Sequence, residues 1–232
     1  MKAINHLLAL AVLGATAACG DSTGPAASRN NPGIGTATLR VIADIDANDD
    51  PAVIGGFSTD YDVSVRDVAG LPVSGATVTI QNASLGTIPL TETAPGSGDY
   101  FRTGSTFPSG DFRLDVVRGA DNVRGVILGG PRAHSITAPA ANSTVPADQP
   151  LTVRWSVPSK AQSAEVETRD FGPVTMPDTG AYQIPGVDNP ARPDQRVRVF
   201  RYNEVSIAGG ALGFASRLRV KVRKTVEPVN VQ

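Results

Sequence analysis

The chain has 232 residues and a net charge of −1, with 21 basic and 22 acidic side chains. Near neutrality excludes a general attraction to polyanions, and the single cysteine excludes an internal disulfide. The length allows a leader followed by two domains of roughly a hundred residues each.

The first 19 residues resemble an export signal that ends at the only cysteine. Lys2 gives a positive start, residues 4–18 are mostly apolar but too few to span a bilayer, and small residues precede Cys19. Ala17-Ala18-Cys19 resembles the lipobox of bacterial lipoproteins, although Thr16 stands where that family usually has an aliphatic residue. The resemblance implies a lipid on Cys19 that holds the chain to the outer membrane, facing the periplasm or the surface. Ordinary secretory cleavage near Ala17 is the alternative.

Residues 20–35 are rich in Gly, Ser, Pro, Ala and Asn without hydrophobic periodicity, which predicts a flexible tether. Beyond it, short Val, Thr and Ile runs punctuated by Gly and Pro predict an all-β fold. We expect two tandem Ig-like β-sandwiches, over residues 36–133 and 134–232. The first carries seven basic and twelve acidic residues and the second twelve and nine, so the two halves differ in charge.

Apolar and polar residues alternate along the strands of the first domain, which indicates one buried face. The alternation predicts the following inward residues: Leu39, Val41, Ala43, Ile45, Tyr61, Val63 and Val65. The segment 65–78, Val-Arg-Asp-Val-Ala-Gly-Leu-Pro-Val-Ser-Gly-Ala-Thr-Val, resembles a hairpin of bacterial Ig-like and carboxypeptidase-regulatory-like sandwiches. The resemblance implies a non-catalytic module and assigns no site residue.

Five oxygen-bearing side chains follow the first predicted strand and form a candidate Ca²⁺ site: Asp44, Asp46, Asn48, Asp49 and Asp50. Oxygen ligands at alternate positions suit this cation, and the segment resembles part of the cadherin calcium linker. An EF-hand is excluded, because Asp49 stands where that loop needs Gly and Gly55 where it needs an acidic ligand. The alternative is a solvated acidic loop that binds no cofactor.

The second domain places the only tryptophan on an alternating strand, with Leu151 and Val153 sharing the inward face of Trp155. Together with Tyr-Gln-Ile-Pro-Gly at 182–186 and the alternating strand at 196–203, this resembles fibronectin type III modules. The chain departs from that family near Asp194 and Gln195, where those modules have a tyrosine. The resemblance implies a second sandwich whose last two strands pair.

That pairing would place six basic side chains on one outer face: Arg196, Arg198, Arg217, Arg219, Lys221 and Arg223. Clustered arginines predict a site for an anion or partner, such as lipopolysaccharide, an acidic envelope glycan or a protein. No aromatic residue is expected on this face, which argues against nucleic acid. In the alternative interpretation, Glu165 and Glu167 pair with two of the arginines and the charges protect an exposed sheet edge.

Catalytic motifs are absent from the sequence: there is no Gly-x-Ser-x-Gly elbow, no His-Glu-x-x-His, no P-loop and no dinucleotide fingerprint. His134, the one histidine beyond the signal, falls in the expected linker. The sequence therefore predicts a non-catalytic, lipid-anchored envelope protein for binding, adhesion or scaffolding. The alternatives are an accessory subunit that docks through the basic strands and, more distantly, a hydrolase that uses carboxylates of the first domain.

Overall fold

The computed structural model describes residues 30–53, 56–107 and 110–232. Within these ranges the chain forms sixteen strands and one short 3-10 turn, Gly186–Asp188, so the predicted all-β class is confirmed. The first half contributes β1 (Asn31–Gly35), β2 (Leu39–Asp49), β3 (Phe57–Asp67), β4 (Thr77–Asn82), β5 (Gly86–Glu92), β6 (Asp99–Gly104), β7 (Asp111–Arg118) and β8 (Asp121–Gly129). The second half contributes β9 (Ile136–Ala138), β10 (Thr144–Val145), β11 (Leu151–Trp155), β12 (Ser163–Thr168), β13 (Val174–Met176), β14 (Ala181–Ile184), β15 (Arg192–Ser206) and β16 (Arg217–Val231).

The alternation in the sequence determines which face of each strand is buried. Val41, Ala43 and Ile45 of β2 and Val63 of β3 have no exposed surface, and their chain neighbours are half-buried or exposed. The inward residues predicted for these two strands are therefore confirmed. Burying each large aliphatic side chain contributes about 1.5–3 kcal/mol, so this face is a major source of the stability of the sheet.

The first sandwich packs one sheet, ordered β1-β8-β7-β4-β5, against a second that runs β6-β3-β2-β16-β15. The second sandwich packs β16-β15-β12-β13 against β14-β11-β9, with β10 beside the end of β16. Trp155 is 4% exposed and lies in the second core with Leu151 and Val153, as the sequence predicts.

One hairpin belongs to both sandwiches. Strands β15 and β16 are 15 residues each and pair antiparallel along their length, as expected. Leu218 and Val220 near the start of β16 enter the first core, whereas Val229 near its end enters the second. The same strand pairs in parallel with β2, from Arg217 opposite Ile42 onwards. The expected boundary between residues 133 and 134 divides the chain into two halves, but the first core also contains residues of the second half, such as Leu218.

Three local expectations differ from the structure. The tether predicted for 20–35 overlaps β1, whose backbone pairs with β8 as an edge strand despite its polar sequence. The acidic stretch is not a loop, because β2 continues to Asp49 with β3 and β16 pairing on either side. The basic last strand is not an exposed edge, since β16 lies between β15 and β2, and the edge-protection interpretation is therefore wrong.

Candidate functional site on the shared sheet

The acidic and basic clusters lie side by side on the outer face of the shared sheet. Arg219 stands opposite Asp44 and Lys221 opposite Asp46 in the parallel pairing of β16 with β2. Oδ1 of Asp44 accepts hydrogen bonds from Nη1 of Arg217 at 2.7 Å and Nε of Arg219 at 2.8 Å, and its Oδ2 accepts from Nη2 of Arg217 at 3.0 Å. Asp44, a predicted calcium ligand, and Arg217 and Arg219, predicted to bind an anion, thus neutralise each other's charge.

Farther along β2 and β16, the basic and acidic side chains lie farther apart than Arg219 and Asp44. Nζ of Lys221 lies 3.7 Å from Oδ1 of Asp46. The Asp49 carboxylate accepts hydrogen bonds from the backbone N–H of Thr225 at 2.9 Å and from its hydroxyl at 3.1 Å. Nε of Arg223 is 3.9 Å from Asp49, too far for a hydrogen bond.

The candidate calcium ligands form a row along β2 and do not surround one point. Asp44, Asp46 and Asn48 are alternate residues of one strand, about 6.8 Å apart in the extended backbone. Asp50 lies past the end of the strand and accepts a hydrogen bond from Ala52 N–H at 2.9 Å. In the described part of the chain, no three His, Cys, Asp or Glu side chains are grouped to hold a metal ion. The calcium site stays a prediction.

Two carboxylates that the sequence analysis did not single out complete this face. Asp62 and Asp60 of β3 stand directly opposite Asp44 and Asp46. Burial raises the pKa of Asp46, and burial together with Asp99 and Asp44 raises the pKa of Asp62. Alternation around Tyr61 predicts that these two residues point outward, but a single sequence does not indicate which strand lies beside them.

Arg196, Arg198 and Arg223 form a second basic group farther along the face, and the nearest β2 carboxylate is Asp49, 3.9 Å from Nε of Arg223. Their Nε atoms are buried and have no hydrogen-bond partner among the described residues. Burial and then the charge of Arg198 lower the pKa values of both Arg196 and Arg223. We call these three residues the arginine cluster, and its excess positive charge makes it the part of the face best suited to an anion.

One carboxylate reaches into the arginine cluster. Oε1 of Glu167 accepts a hydrogen bond from Nη1 of Arg198 at 2.9 Å, which confirms one of the expected cross-strand pairs. Glu165 stands opposite Phe200 rather than an arginine. Within the described ranges Arg196 makes no ion pair, so the cluster keeps unpaired charge.

Two aromatic residues share this face, which corrects the expectation of none. Phe200 and Tyr202 stand opposite Arg223 and Lys221 in the β15–β16 pairing. The Lys221 Nζ atom lies 5.1 Å from the Phe200 ring centre, and the Arg219 guanidinium carbon 5.9 Å from that of Tyr202. Phe200 and Tyr202 are four and six residues after Arg196, so the period of two along a strand places both rings on the same face as Arg196. Their position on this face could therefore have been predicted from the sequence. Phe200 is 7% exposed, so its ring offers no open stacking surface.

A buried ion pair in the second sandwich was not predicted. The fully buried Arg201 donates to Oδ2 of Asp178 from Nε at 3.0 Å and Nη2 at 2.6 Å, and Nη2 also donates to the Ser159 carbonyl. Trp155 Nε1 donates to Oδ1 of Asp178 at 2.9 Å. Burial alone would raise the pKa of Asp178, but the hydrogen bonds from Arg201 and Trp155 outweigh it and lower that pKa.

His134 is buried beside this pair and is not in an open linker. Its Nε2 lies 3.2 Å from the Val199 carbonyl oxygen, which requires the proton on Nε2. Burial, with Arg201 nearby, lowers its pKa to about 4, so the ring is neutral at pH 7. Its one hydrogen bond among the described residues goes to backbone, which gives it a packing role there.

Cys19 and the signal segment lie outside the described residues. Over the part of the chain that is described, no helix has the length and apolar character needed to cross a membrane.

No protein-family model and no curated protein sequence matches the chain. Solved structures that align with it include the fibronectin(III)-like modules of Clostridium thermocellum CbhA, at 16% identity over 83% of this chain and 94% of that one, with a TM-score of 0.28. The Yersinia pseudotuberculosis adhesin InvE aligns at 17% identity over 82% and 60%, with a TM-score of 0.26. The IG1+IG2 portion of DIP-gamma aligns at 11% identity over 84% and 98%, with a TM-score of 0.26.

Proposed function

We propose that the chain is a non-catalytic, lipid-anchored protein of the outer membrane that binds a negatively charged polymer of the cell envelope. The arginine cluster of Arg196, Arg198 and Arg223 carries this proposal. The ligand groups that fit it are phosphates, as in lipopolysaccharide, and carboxylates, as in an acidic glycan, because guanidinium groups bind both in bidentate geometry.

The argument rests on the difference between two groups of basic residues on one face. Arg217 and Arg219 share the Asp44 carboxylate, so an incoming anion would have to displace an intramolecular partner. The arginine cluster holds three guanidinium groups against two carboxylates, Glu167 at 2.9 Å from Arg198 and Asp49 at 3.9 Å from Arg223. Mutual repulsion in the cluster is relieved when an anion binds, which favours binding there over the rest of the face.

The test is a binding titration of the full-length chain in detergent against lipopolysaccharide, polyphosphate and a polyuronate. Changing Arg196→Gln and Arg223→Gln together should weaken binding by roughly tenfold or more, about 1.4 kcal/mol. The matched control is Arg124→Gln with Arg154→Gln, two exposed arginines on other sheets with the same change in net charge. Equal weakening by both double variants would show only long-range attraction and would overturn the proposed site. The ligand that binds most tightly distinguishes phosphate from carboxylate sources.

Anchoring is tested separately by changing Cys19→Ser. The native chain should incorporate labelled fatty acid and fractionate with the outer membrane, whereas the variant should remain unlabelled and leave the membrane fraction. A variant that remains labelled and membrane-bound would contradict the assignment of Cys19 as the lipid acceptor.

A further inference from the structure

Exposed apolar side chains concentrate at one end of the first sandwich. At this end Leu39, the first residue of β2, stands opposite Asp67, the last residue of β3, and β16 begins at Arg217. Five of the nine large apolar side chains that are exposed in the described ranges lie in or beside the turns at this end: Ile34, Val68, Leu71, Leu212 and Phe214. We call these five residues the apolar tip.

The loop between β15 and β16, which carries the most exposed part of the tip, is fixed to β2 on both sides. The backbone N–H of Ala211 donates to the Leu39 carbonyl at 2.8 Å. The Ser216 hydroxyl oxygen accepts from the backbone N–H of Val41 at 3.1 Å. All residues between these two contacts, 212–215, are exposed. Burying their large apolar side chains within the chain would therefore require the contacts to β2 to break.

The shape of the apolar tip favours a lipid surface over a protein partner. Clustered exposed apolar groups mark surfaces that another molecule or a membrane covers. Ile34 lies beside the β1–β2 connection, Val68 and Leu71 in the β3–β4 turn, and Leu212 and Phe214 in the β15–β16 loop. A lipid layer adapts to side chains that project from three separate turns, whereas a folded partner would need a matching pocket for each.

A cation lies behind the aromatic ring of the tip. The guanidinium carbon of Arg40 is 6.0 Å from the centre of the Phe214 ring. Arg40 makes no ion pair with any described residue, and it stands opposite Arg66, which is bound to Asp99 at 2.8 Å. With the Phe214 ring among acyl chains, the Arg40 side chain extends at the depth of the headgroup phosphates, which guanidinium groups bind well.

The start of the described chain lies within reach of a membrane at this end. β1 runs towards the apolar tip from Asn31 to Gly35 and covers about 13 Å. Asn30 is eleven residues after Cys19, and a segment of that length spans at most about 36 Å. A lipid on Cys19 and the apolar tip can therefore contact the same membrane surface.

We propose that the apolar tip contacts the lipid surface to which Cys19 is anchored, with Leu212 and Phe214 among the acyl chains and Arg40 at the phosphates. The inference rests on the anchor of the proposed function but not on polymer binding by the arginine cluster. The contact would orient the molecule with β16 directed away from the membrane. Arg223 is six residues, or about 20 Å, beyond Arg217, so the arginine cluster would be held clear of the headgroups.

The test measures contact between the tip and acyl chains in the full-length chain. Leu212→Trp is combined with phosphatidylcholine–phosphatidylglycerol vesicles whose acyl chains carry bromine, a short-range quencher of tryptophan. The added fluorescence should fall at least about twofold, as expected for a side chain at the headgroup–acyl boundary. Trp155 is buried and gives the same background in every variant.

The matched control for position is Val187→Trp. Val187 is 86% exposed, and its turn lies beside the end of β16, at the opposite end of the molecule from the tip. Its fluorescence should not be quenched. Adding Phe214→Ser to Leu212→Trp should remove roughly half of the quenching or more, because the larger apolar group is lost. Adding Val157→Ser, an exposed position on the second sandwich, should leave the quenching unchanged.

The outcomes separate the tip from the anchor. No quenching of Leu212→Trp in a chain that incorporates labelled fatty acid would overturn the membrane contact and leave the anchor intact. Quenching in a chain that incorporates no fatty acid would support the contact and overturn the anchor alone. Equal quenching of Leu212→Trp and Val187→Trp would overturn the orientation. A fluorescence change that follows protein concentration, without quenching by bromine, would assign the tip to a second copy of the chain and overturn the proposal.

Discussion

Arg219 and Asp44 are hydrogen-bonded at 2.8 Å across two parallel strands, although 175 positions separate them in the chain. Arg217 binds the same carboxylate. These contacts join the last strand to the second, so the first sandwich is completed only when β16 is in place. Because β16 also belongs to the second sandwich, the two sandwiches are expected to fold and unfold together.

Leu218→Ala tests this coupling. Leu218 has no exposed surface in the first core, and its truncation should cost about 2–5 kcal/mol of unfolding free energy. Urea unfolding should show one shifted transition both in far-UV circular dichroism and in the fluorescence of Trp155, which lies in the second core. The exposed Leu212→Ala is the control and should change stability by less than about 0.5 kcal/mol. Two separate transitions, with Trp155 fluorescence unshifted, would contradict coupled folding.

Asp44→Asn and Asp62→Asn are expected to act in opposite directions. The first removes a carboxylate that binds two arginines and should destabilise the chain by about 1–3 kcal/mol. The second removes a negative charge directly opposite Asp44 and should stabilise by a few tenths of a kcal/mol to about 1 kcal/mol. Denaturant unfolding of both variants under identical conditions measures the difference. Destabilisation by both would show that Asp62 makes a favourable contact and is not merely repelled.

His134 should make the chain less stable in mild acid. The folded pKa of about 4 lies below the ordinary 6.5, so the unfolded chain binds more protons between these values and stability falls as the pH drops through this window. The expected loss from pH 7 to pH 5 is about 2 kcal/mol. His134→Gln should lack this loss of stability in acid. The raised pKa values of Asp46 and Asp62 stabilise the folded chain in acid, and they do so in both the native chain and the variant. An equal pH dependence in the two proteins would contradict a buried neutral imidazole.

Much of the fold follows from local pattern. A period of two in β2 and β3 identified Val41, Val63 and their neighbours as core, and it would also have placed Phe200 and Tyr202 beside the basic residues. The alternation of apolar and polar residues specifies which face of a strand is buried, but not which strand lies beside it. The parallel pairing of β16 with β2 was therefore not predicted, although acidic residues two apart on one strand match basic residues two apart on the other.

The candidate sites required positions that only the tertiary structure defines. Arg201 stands at an inward position of β15, so the sequence shows a charged residue where the alternation predicts an apolar one. Its partner Asp178 lies in a segment without periodicity, so the sequence does not indicate the pairing. Long-range pairing of this kind depends on the order of strands in the sheet, and no local propensity encodes it.

Calcium is expected to leave the melting temperature unchanged. Asp44 and Asp49 already accept two or more hydrogen bonds each from neighbouring strands, so binding a cation would require these contacts to break. Thermal unfolding with added Ca²⁺ and with a chelator provides the measurement. A rise in melting temperature with calcium that disappears in Asp46→Asn would instead establish the predicted metal site.

Asp178→Asn should be among the most destabilising single substitutions in the second sandwich. It leaves the fully buried Arg201 guanidinium without its counter-charge, and breaking one partner of a buried pair typically costs about 3–5 kcal/mol. Replacing both partners, as Asp178→Leu with Arg201→Met, removes the buried charges together and should recover much of that loss. Urea unfolding of the single and double variants separates the two effects. A double variant as unstable as the single one would contradict this recovery. It would show that the hydrogen bonds of the pair to Trp155 and the backbone, which only the double variant loses completely, stabilise the chain as much as charge compensation does.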